Sequence, residues 1–324
     1  MTSTQCCPIT RTIVGESTAV RRLRALIAVA APTRLAVLIQ GPTGAGKELV
    51  ASALHAASGR RGRFVPFNVC AIGDSMFEDA LFGHVRGAYT GAWSETPGFL
   101  LEADGGTAFF DEISGLQPML QAKLLRAIET GEFRPIGAKR DAKSDFRVIA
   151  ATNERLNVLI GERRFRSDLA HRIGGVIINV PSLAERVEDI PFLVRHFLDR
   201  ADAAHVIVTP AALARLAAYH WPGNVRELKQ TVEWAAALCE AELSEATVQA
   251  ALAQRAHGIV VVSDEDLCVE GRALRQTLER HSWNTDAAAR ELGVHRATLY
   301  RRMKRLRLTT PSMSFDFRGE TSLS

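Results

Sequence analysis

The segment from Gly41 to Glu48 constrains the fold of this 324-residue chain more than any other part of its sequence. It follows an apolar run that ends at Ile39, and it opens a helical pattern that begins at Leu49. The order of strand, glycine-rich turn and helix is typical of a phosphate-binding loop, in which backbone N–H groups surround the phosphates and the helix N-terminus favours anions. Lys47 is then placed to reach the β- and γ-phosphates. The alternative is a glycine-rich turn without a ligand.

The loop predicts a set of nucleotide-binding residues, namely Gly41, Pro42, Thr43, Gly44, Ala45, Gly46, Lys47 and Glu48. Position 48 departs from the general pattern, in which Ser or Thr contributes a hydroxyl to magnesium. Metal binding must therefore depend on other groups. Asp111 and Glu112 follow an apolar run downstream of the loop. Asp111 is expected to hold Mg2+, directly or through water, and Glu112 to polarise the attacking water.

Short apolar runs alternate with helical patterns from Ile13 to about Pro181, which predicts an α/β fold with a mostly parallel sheet covered by helices. The strand candidates are Leu35–Ile39, Phe64–Asn68, Thr107–Phe110 and Arg147–Ala151. Asn153 follows the last of them at the carboxyl edge of the sheet, where it could orient the lytic water or cap the next helix. From Leu183 to about Ala253 the spacing is helical throughout, so an all-helical second domain is expected.

The positive charge of the chain is concentrated near its C-terminus. Residues 270–308 hold ten Arg and Lys against four Asp and Glu, a balance of +6, so the rest of the chain carries about −2 of the net +4. Thr285–Leu292 and His295–Lys304 can form two helices around Gly293, as in a helix-turn-helix. The predicted DNA-binding residues are His295, Arg296, Thr298, Tyr300, Arg301, Arg302 and Lys304, and a solvated basic helix is the alternative.

A segment between the two nucleotide motifs points to a family. It reads Gly87-Ala88-Tyr89-Thr90-Gly91-Ala92 and resembles the Gly-Ala-Phe-Thr-Gly-Ala loop of the bacterial enhancer-binding proteins, the AAA+ activators of sigma-54 RNA polymerase. The resemblance spans about residues 12 to 308. It implies an AAA+ ATPase with an α-helical lid and a C-terminal domain of the Fis type, which binds ATP and upstream promoter DNA and contacts sigma-54 through residues 87–92.

The same resemblance assigns further residues. Glu48 is normal for this family, and Asn68 falls on the asparagine that senses the γ-phosphate through Glu112. Arg166 and Arg172 lie in a stretch that resembles the family's arginine fingers, although surface ion pairing is an alternative when they are judged alone. Arg226 matches the sensor arginine of the lid. Fingers acting on a neighbouring subunit imply a ring, and the family suggests a hexamer.

Three residues depart from the family pattern. Tyr89 replaces Phe, Ala80 stands where Glu is usual, and Ala184 replaces an arginine. None of them touches the phosphate chemistry. The Tyr89 hydroxyl is expected to remain hydrated at an exposed tip, and the substitution to be tolerated.

The sequence predicts six segments: a flexible N-terminus (1–11), the α/β ATPase subdomain (12–181), the lid (182–253), a linker (254–267), the helix-turn-helix (268–308) and a flexible tail (309–324). Only 40 residues precede the phosphate loop, which leaves no room for a receiver domain, so regulation by a separate protein in trans is expected. With neither a secretory signal nor a long apolar run, the protein is expected in the cytoplasm. An ATP-responsive DNA-binding regulator that does not drive sigma-54 is one alternative, and a AAA+ DNA-processing motor is another.

Overall fold

The computed structural model describes residues 8–239, 241–257, 269–281, 283–292, 299 and 303. They form two compact units. The first unit extends through Leu193 and includes His220–Leu228, and the second comprises Val194–Tyr219 and the described residues from Lys229 onward. No helix in these parts of the chain is long and apolar enough to cross a membrane.

The first unit alternates strands and helices along the chain. Its strands are β1 (Val37–Gln40), β2 (Phe64–Asn68), β3 (Gly83–His84), β4 (Thr96–Pro97), β5 (Thr107–Asp111), β6 (Glu132–Phe133), β7 (Ala142–Lys143), β8 (Arg147–Thr152) and β9 (Val176–Asn179). Its helices are α1 (Pro8–Thr12), α2 (Thr18–Ala30), α3 (Lys47–Ala56), α4 (Asp74–Phe82), α5 (Phe99–Glu102), α6 (Pro118–Thr130), α7 (Leu156–Gly161) and α8 (Ser167–Ile173).

Five of these strands form a parallel sheet in the order β2-β5-β8-β1-β9, which confirms the predicted parallel α/β architecture. The four predicted strands are present, although β1 begins at Val37 rather than Leu35. The fifth strand, β9, was not predicted. Its four residues follow two glycines and become a strand through pairing with β1, where Val176 lies opposite Val37.

Both faces of the sheet are covered by apolar side chains. Alternate residues of β5 point in opposite directions, so Phe110 belongs to a buried cluster on one face and Phe109 to a buried cluster on the other. Helices α4 and α6 pack into the first cluster, and α2 and α3 into the second. The covered sheet leaves its carboxyl edge as the place where polar side chains from several strands meet.

The chain from Ile190 onward is mainly helical. The elements are α9 (Ile190–Arg200), β10 (Ile207–Val208), α10 (Pro210–Ala218), α11 (Asn224–Leu238), β11 (Glu242–Leu243), α12 (Glu245–His257), α13 (Val269–Arg280) and α14 (Thr285–Glu291). The two-residue strands β10 and β11 pair in parallel, so the prediction of a purely helical segment was wrong at this point. Residues 254–257 of the predicted linker are helical, and the linker residues 258–267 lie outside the described residues.

Candidate functional site

The phosphate-binding loop connects β1 to α3 and offers unpaired backbone donors. Gly44 and Gly46 have φ of 76° and 104°, a conformation that side chains other than glycine rarely adopt. Helix α3 begins at Lys47 without a side-chain cap. Within the described residues, the N–H groups of Lys47 and Glu48 have no protein acceptor. The loop therefore presents two unpaired N–H groups at a helix N-terminus, an arrangement that favours phosphate.

Lys47 lies at the centre of this loop. Its side chain is 7% exposed, and its ammonium donates to the carbonyl oxygens of Gly41 at 3.1 Å and Pro42 at 3.5 Å. The same nitrogen lies 4.0 Å from Oε1 of Glu112. The phosphate loop and the Glu112 carboxylate therefore approach the same point.

The two predicted acidic residues occupy the carboxyl end of β5. Asp111 is the last residue of the strand, and its Oδ1 accepts a hydrogen bond from the Glu112 N–H at 3.1 Å. Glu112 has φ 55° and ψ 46°, which is a left-handed conformation rare for residues other than glycine. This turn directs the Glu112 carboxylate towards Lys47 instead of continuing the strand.

Two asparagines stand at the same edge of the sheet. Asn68 ends β2 opposite Asp111, and its Oδ1 accepts from the N–H groups of Cys70 at 2.9 Å and Ala71 at 3.1 Å. Asn153 donates from Nδ2 to the Thr43 hydroxyl at 3.3 Å. Asn153 is thereby tied to the phosphate loop, while Asn68 caps a short 3₁₀ turn beside Asp111.

The segment from Trp221 to Leu228 belongs to the first unit and contacts the phosphate loop. The Arg226 N–H donates to the Gly44 carbonyl at 3.1 Å, and its side chain is exposed. Asn224, which is 5% exposed, donates from Nδ2 to the Thr43 carbonyl at 3.1 Å and accepts from the Leu183 N–H at 2.9 Å. Sequence reasoning selected Arg226 and missed Asn224, although both lie in the same Trp-Pro-Gly-Asn-Val-Arg motif.

Arg186 is a second residue that the sequence did not single out. Only 4% of it is exposed, and it donates from Nη2 to the Ala45 carbonyl at 2.9 Å. Burial lowers the pKa of this guanidinium from its ordinary value, and the nearby Asp189 and Glu185 oppose that shift. Arg186 holds the middle of the phosphate loop from its inner side. No local signal in the charged run Glu-Arg-Val-Glu-Asp distinguishes it from a surface arginine.

The two candidate finger arginines lie apart from these contacts. Arg166 precedes α8, is exposed and forms a bidentate ion pair with Asp168 at 3.0 and 2.7 Å. The hydrogen bonds that Arg166 donates to Asp168 raise the pKa of Arg166, and the same pairing lowers the pKa of Asp168. Arg172 donates to the Ile128 carbonyl at 3.3 Å. Within the described residues, neither side chain contacts the phosphate loop of its own chain.

Residues 87–92 form the tip of a hairpin between β3 and β4. Gly87 donates to the Ala92 carbonyl at 2.8 Å, and Gly87 and Gly91 have φ of 81° and 103°. Tyr89 is 47% exposed, and its hydroxyl donates to Asp79 at 3.2 Å, a contact that the sequence did not predict. Trp93 is 85% exposed directly after the motif, and the sequence reasoning did not consider it. The six residues predicted to contact sigma-54 all lie in this tip, namely Gly87, Ala88, Tyr89, Thr90, Gly91 and Ala92.

The described part of the C-terminal region has its own small core. Leu278 of α13, Ala288 and Ala289 of α14, and the downstream residues Leu299 and Met303 are all buried in one cluster. This burial agrees with the predicted close packing of the helix-turn-helix. The seven predicted DNA-contacting residues, from His295 to Lys304, lie outside the described residues.

The donor set fits ATP with a magnesium ion. The free N–H groups and Lys47 suit a triphosphate, and Asp111 with Glu112 supplies two carboxylates at the same edge. Within the described residues, no three His, Cys, Asp or Glu side chains are grouped closely enough to hold a metal alone. Magnesium commonly binds one or two carboxylates together with substrate phosphates and water, so Asp111 suffices as its carboxylate ligand.

Three family models match successive parts of the chain. The sigma-54 interaction domain matches residues 13–179, the AAA+ ATPase lid domain matches residues 184–259, and the Fis family of bacterial regulatory proteins matches residues 269–306. The first match favours the hypothesis of a sigma-54 activator over the two alternatives, a DNA-binding regulator that does not drive sigma-54 and a AAA+ DNA-processing motor.

Comparisons with individual proteins agree with these matches. ZraR, a transcriptional regulatory protein of Escherichia coli K12, is 42% identical over 303 residues, which cover 90% of this chain and 68% of ZraR. NorR of Vibrio vulnificus, an anaerobic nitric oxide reductase transcription regulator, is 37% identical over 320 residues, which cover 91% of this chain and 63% of NorR.

Solved structures of NtrX from Brucella abortus are also similar to this chain. The complex with ADP gives a TM-score of 0.67 at 33% identity, covering 90% of this chain and 68% of NtrX. The complex with ATP gives a TM-score of 0.66 at 34% identity, covering 92% of this chain and 70% of NtrX. The chain therefore belongs to the sigma-54-dependent transcription activators, AAA+ ATPases that combine a sigma-54 interaction domain with a helical lid and a Fis-type helix-turn-helix.

Proposed function

We propose that this protein binds promoter DNA through its last helices, assembles into a ring and uses hydrolysis of Mg-ATP to remodel the closed sigma-54 RNA polymerase complex. One observation carries the proposal. Lys47 and Glu112 approach to 4.0 Å beside the unpaired N–H groups of Lys47 and Glu48, in the same unit that exposes the Gly87–Ala92 hairpin. A hydrolytic site and a partner-binding loop thus occupy one compact body.

The proposed chemistry follows from the positions of the side chains. The loop N–H groups and Lys47 bind the phosphates, and Glu112 polarises the attacking water. Asp111 holds magnesium, which when bound neutralises charge on the β- and γ-phosphates. Asn153, fixed to Thr43, is close enough to the loop to orient the water. Arg226 places its exposed side chain beside the loop, where it can close over the nucleotide.

The finger arginines support a ring. Arg166 and Arg172 are exposed and contact other parts of their own chain, so a role at a nucleotide requires a second subunit. An arginine that enters a neighbouring site stabilises charge on the transferring phosphoryl group. Because every subunit then both gives and receives an arginine, the contact is head-to-tail, and such a contact generates a ring when its rotation closes. We take this ring to be a hexamer, as the family resemblance implies.

The remaining parts of the proposal concern partners. Residues 87–92 contact sigma-54, and the basic residues from His295 to Lys304 contact promoter DNA. A separate regulatory protein acts in trans on the ATPase, and the complex works in the cytoplasm, where its DNA and polymerase are.

The test compares two neighbouring hydroxyl deletions on the same hairpin. Thr90 lies inside the motif and Ser94 outside it, and both are exposed. We expect Thr90→Ala to retain ATP hydrolysis and to lose open-complex formation with purified sigma-54 polymerase, whereas Ser94→Ala retains both. Lys47→Ala serves as the nucleotide-site control and loses both activities. Normal open-complex formation by Thr90→Ala would contradict the assigned role of the hairpin.

A further inference from the structure

The hairpin tip is already ordered by its own backbone. Gly87 donates to the Ala92 carbonyl at 2.8 Å, and Ala92 donates back to the Tyr89 carbonyl at 3.1 Å. The base of the hairpin is fastened separately, because Val85 donates to the Ile136 carbonyl at 3.1 Å. The tip is therefore a small rigid turn whose position depends on what its side chains contact.

One carboxylate contacts both the base and the tip. Asp79 Oδ1 lies 2.6 Å from Nδ1 of His84, and Asp79 Oδ2 accepts from the Tyr89 hydroxyl at 3.2 Å. His84 is 7% exposed, and the ring centroids of His84 and Tyr89 lie 5.2 Å apart. The aromatic ring of the tip is thereby drawn towards α4, the helix that carries Asp79.

The Tyr89 hydroxyl is suited to this contact as a donor. Desolvation and the neighbouring Asp79 raise the pKa of Tyr89 above its ordinary value, so the hydroxyl stays protonated at neutral pH. A phenylalanine at this position has no hydroxyl and cannot form the bond. The hydrogen bond therefore depends on the tyrosine that distinguishes this chain from the usual motif.

We propose that Asp79 is a positioning residue for the sigma-54 contact loop: through the Tyr89 hydroxyl it holds the tip against α4, and sigma-54 binds after this hydrogen bond opens. The inference rests on the proposed role of residues 87–92. Opening the bond costs part of the binding free energy, so the latch formed by Asp79 and Tyr89 weakens sigma-54 binding.

The experiment is a double-mutant cycle with Tyr89→Phe and Asp79→Ala. Affinity for purified sigma-54 is measured with ADP and aluminium fluoride bound to the full-length protein. Removing a single hydrogen bond predicts about fivefold tighter binding for Tyr89→Phe. Tyr89→Phe should have little further effect in the Asp79→Ala background, because the bond between the two residues is already absent there. Glu78→Ala is the control, since Glu78 neighbours Asp79 on the same helix but pairs with Lys123.

Amide hydrogen exchange of residues 85–93 gives an independent measurement of the latch. Tyr89→Phe should speed exchange in this segment, and Glu78→Ala should not. Unchanged or weaker sigma-54 binding by Tyr89→Phe, additive effects in the cycle, or unchanged exchange would each overturn the latch. If the unmodified protein does not bind sigma-54 at all, the proposed function fails, and exchange alone then decides the latch.

Discussion

Replacing Gly44 with alanine should separate the phosphate loop from the Trp221–Leu228 segment that contacts it. A Cβ on Gly44 would lie 2.3 Å from the Gly223 carbonyl oxygen, closer than the 3.0 Å below which one of the two must shift. The shift breaks the hydrogen bonds from Arg226 to Gly44 and from Asn224 to Thr43, both 3.1 Å long. Each such bond is worth about 1 kcal/mol.

The chain supplies a matched control for the backbone strain. Gly59 has φ of 74°, almost that of Gly44 at 76°, and a Cβ there meets nothing within 4 Å. Gly59→Ala should thus cost about 1–2 kcal/mol of stability through strain alone, without affecting ATP binding. In Gly44→Ala, closing the displaced segment over the nucleotide costs a further ~2 kcal/mol, which lowers ATP affinity by about thirtyfold.

Isothermal titration of ATP into the two variants and the unmodified protein measures this difference. Denaturant unfolding of the same samples reports the strain that both substitutions share. If Gly44→Ala binds ATP as tightly as Gly59→Ala does, the segment around Gly223 does not support the nucleotide site, and the role assigned to Arg226 loses its structural basis.

Three further outcomes are expected. Arg166→Ala should lower ATPase activity about a thousandfold. Mixing it with Lys47→Ala subunits should restore part of that activity, because a finger that acts in trans can then come from the Lys47→Ala subunit. Arg164→Ala is the control and should have the ATPase activity of the unmodified protein. Burial is the main cause that lowers the pKa of His55, so this residue binds a proton more readily in the unfolded chain. The free energy of unfolding should therefore fall as the pH drops below 6.5, the ordinary pKa of histidine. His55→Gln should lessen this fall, as measured by denaturant titrations at several pH values. Leu278→Ala should destabilise the C-terminal helices by about 2–5 kcal/mol and abolish DNA binding in a mobility-shift assay, while ATP affinity is retained.

Much of the fold could be predicted because its signals are local. The apolar runs that became β2, β5 and β8 begin at the predicted residues, and the glycine pattern located the phosphate loop. Strand β9 escaped prediction because four residues carry little periodicity, and its identity depends on pairing with β1 across more than 130 residues of chain. An edge strand of this kind is defined by its partner.

The candidate site was predictable in the residues proposed to face the nucleotide, and not in the residues that support the phosphate loop. Lys47, Asp111 and Glu112 follow strands in recognisable motifs, so their meeting at the carboxyl edge could be expected. Asn224 and Arg186 reach the phosphate loop from 181 and 141 residues away, and a sequence pattern cannot show such contacts. Polar residues that donate hydrogen bonds to backbone carbonyls look like surface residues in a sequence, because only the fold shows that they are buried.

The strand register gives the proposed link between ATP hydrolysis and the hairpin a continuous physical path. Asn68 lies opposite Asp111 at the ends of β2 and β5, so a displacement of one strand end acts directly on the other. The Asn68 side chain caps the 3₁₀ turn that leads into α4, and α4 carries Asp79, which holds Tyr89. Helix α4 would transmit a shift from the carboxyl edge of the sheet, and the same helix carries Asp79, which holds the hairpin tip. A movement of α4 can therefore both break the hydrogen bond between Asp79 and Tyr89 and displace residues 87–92.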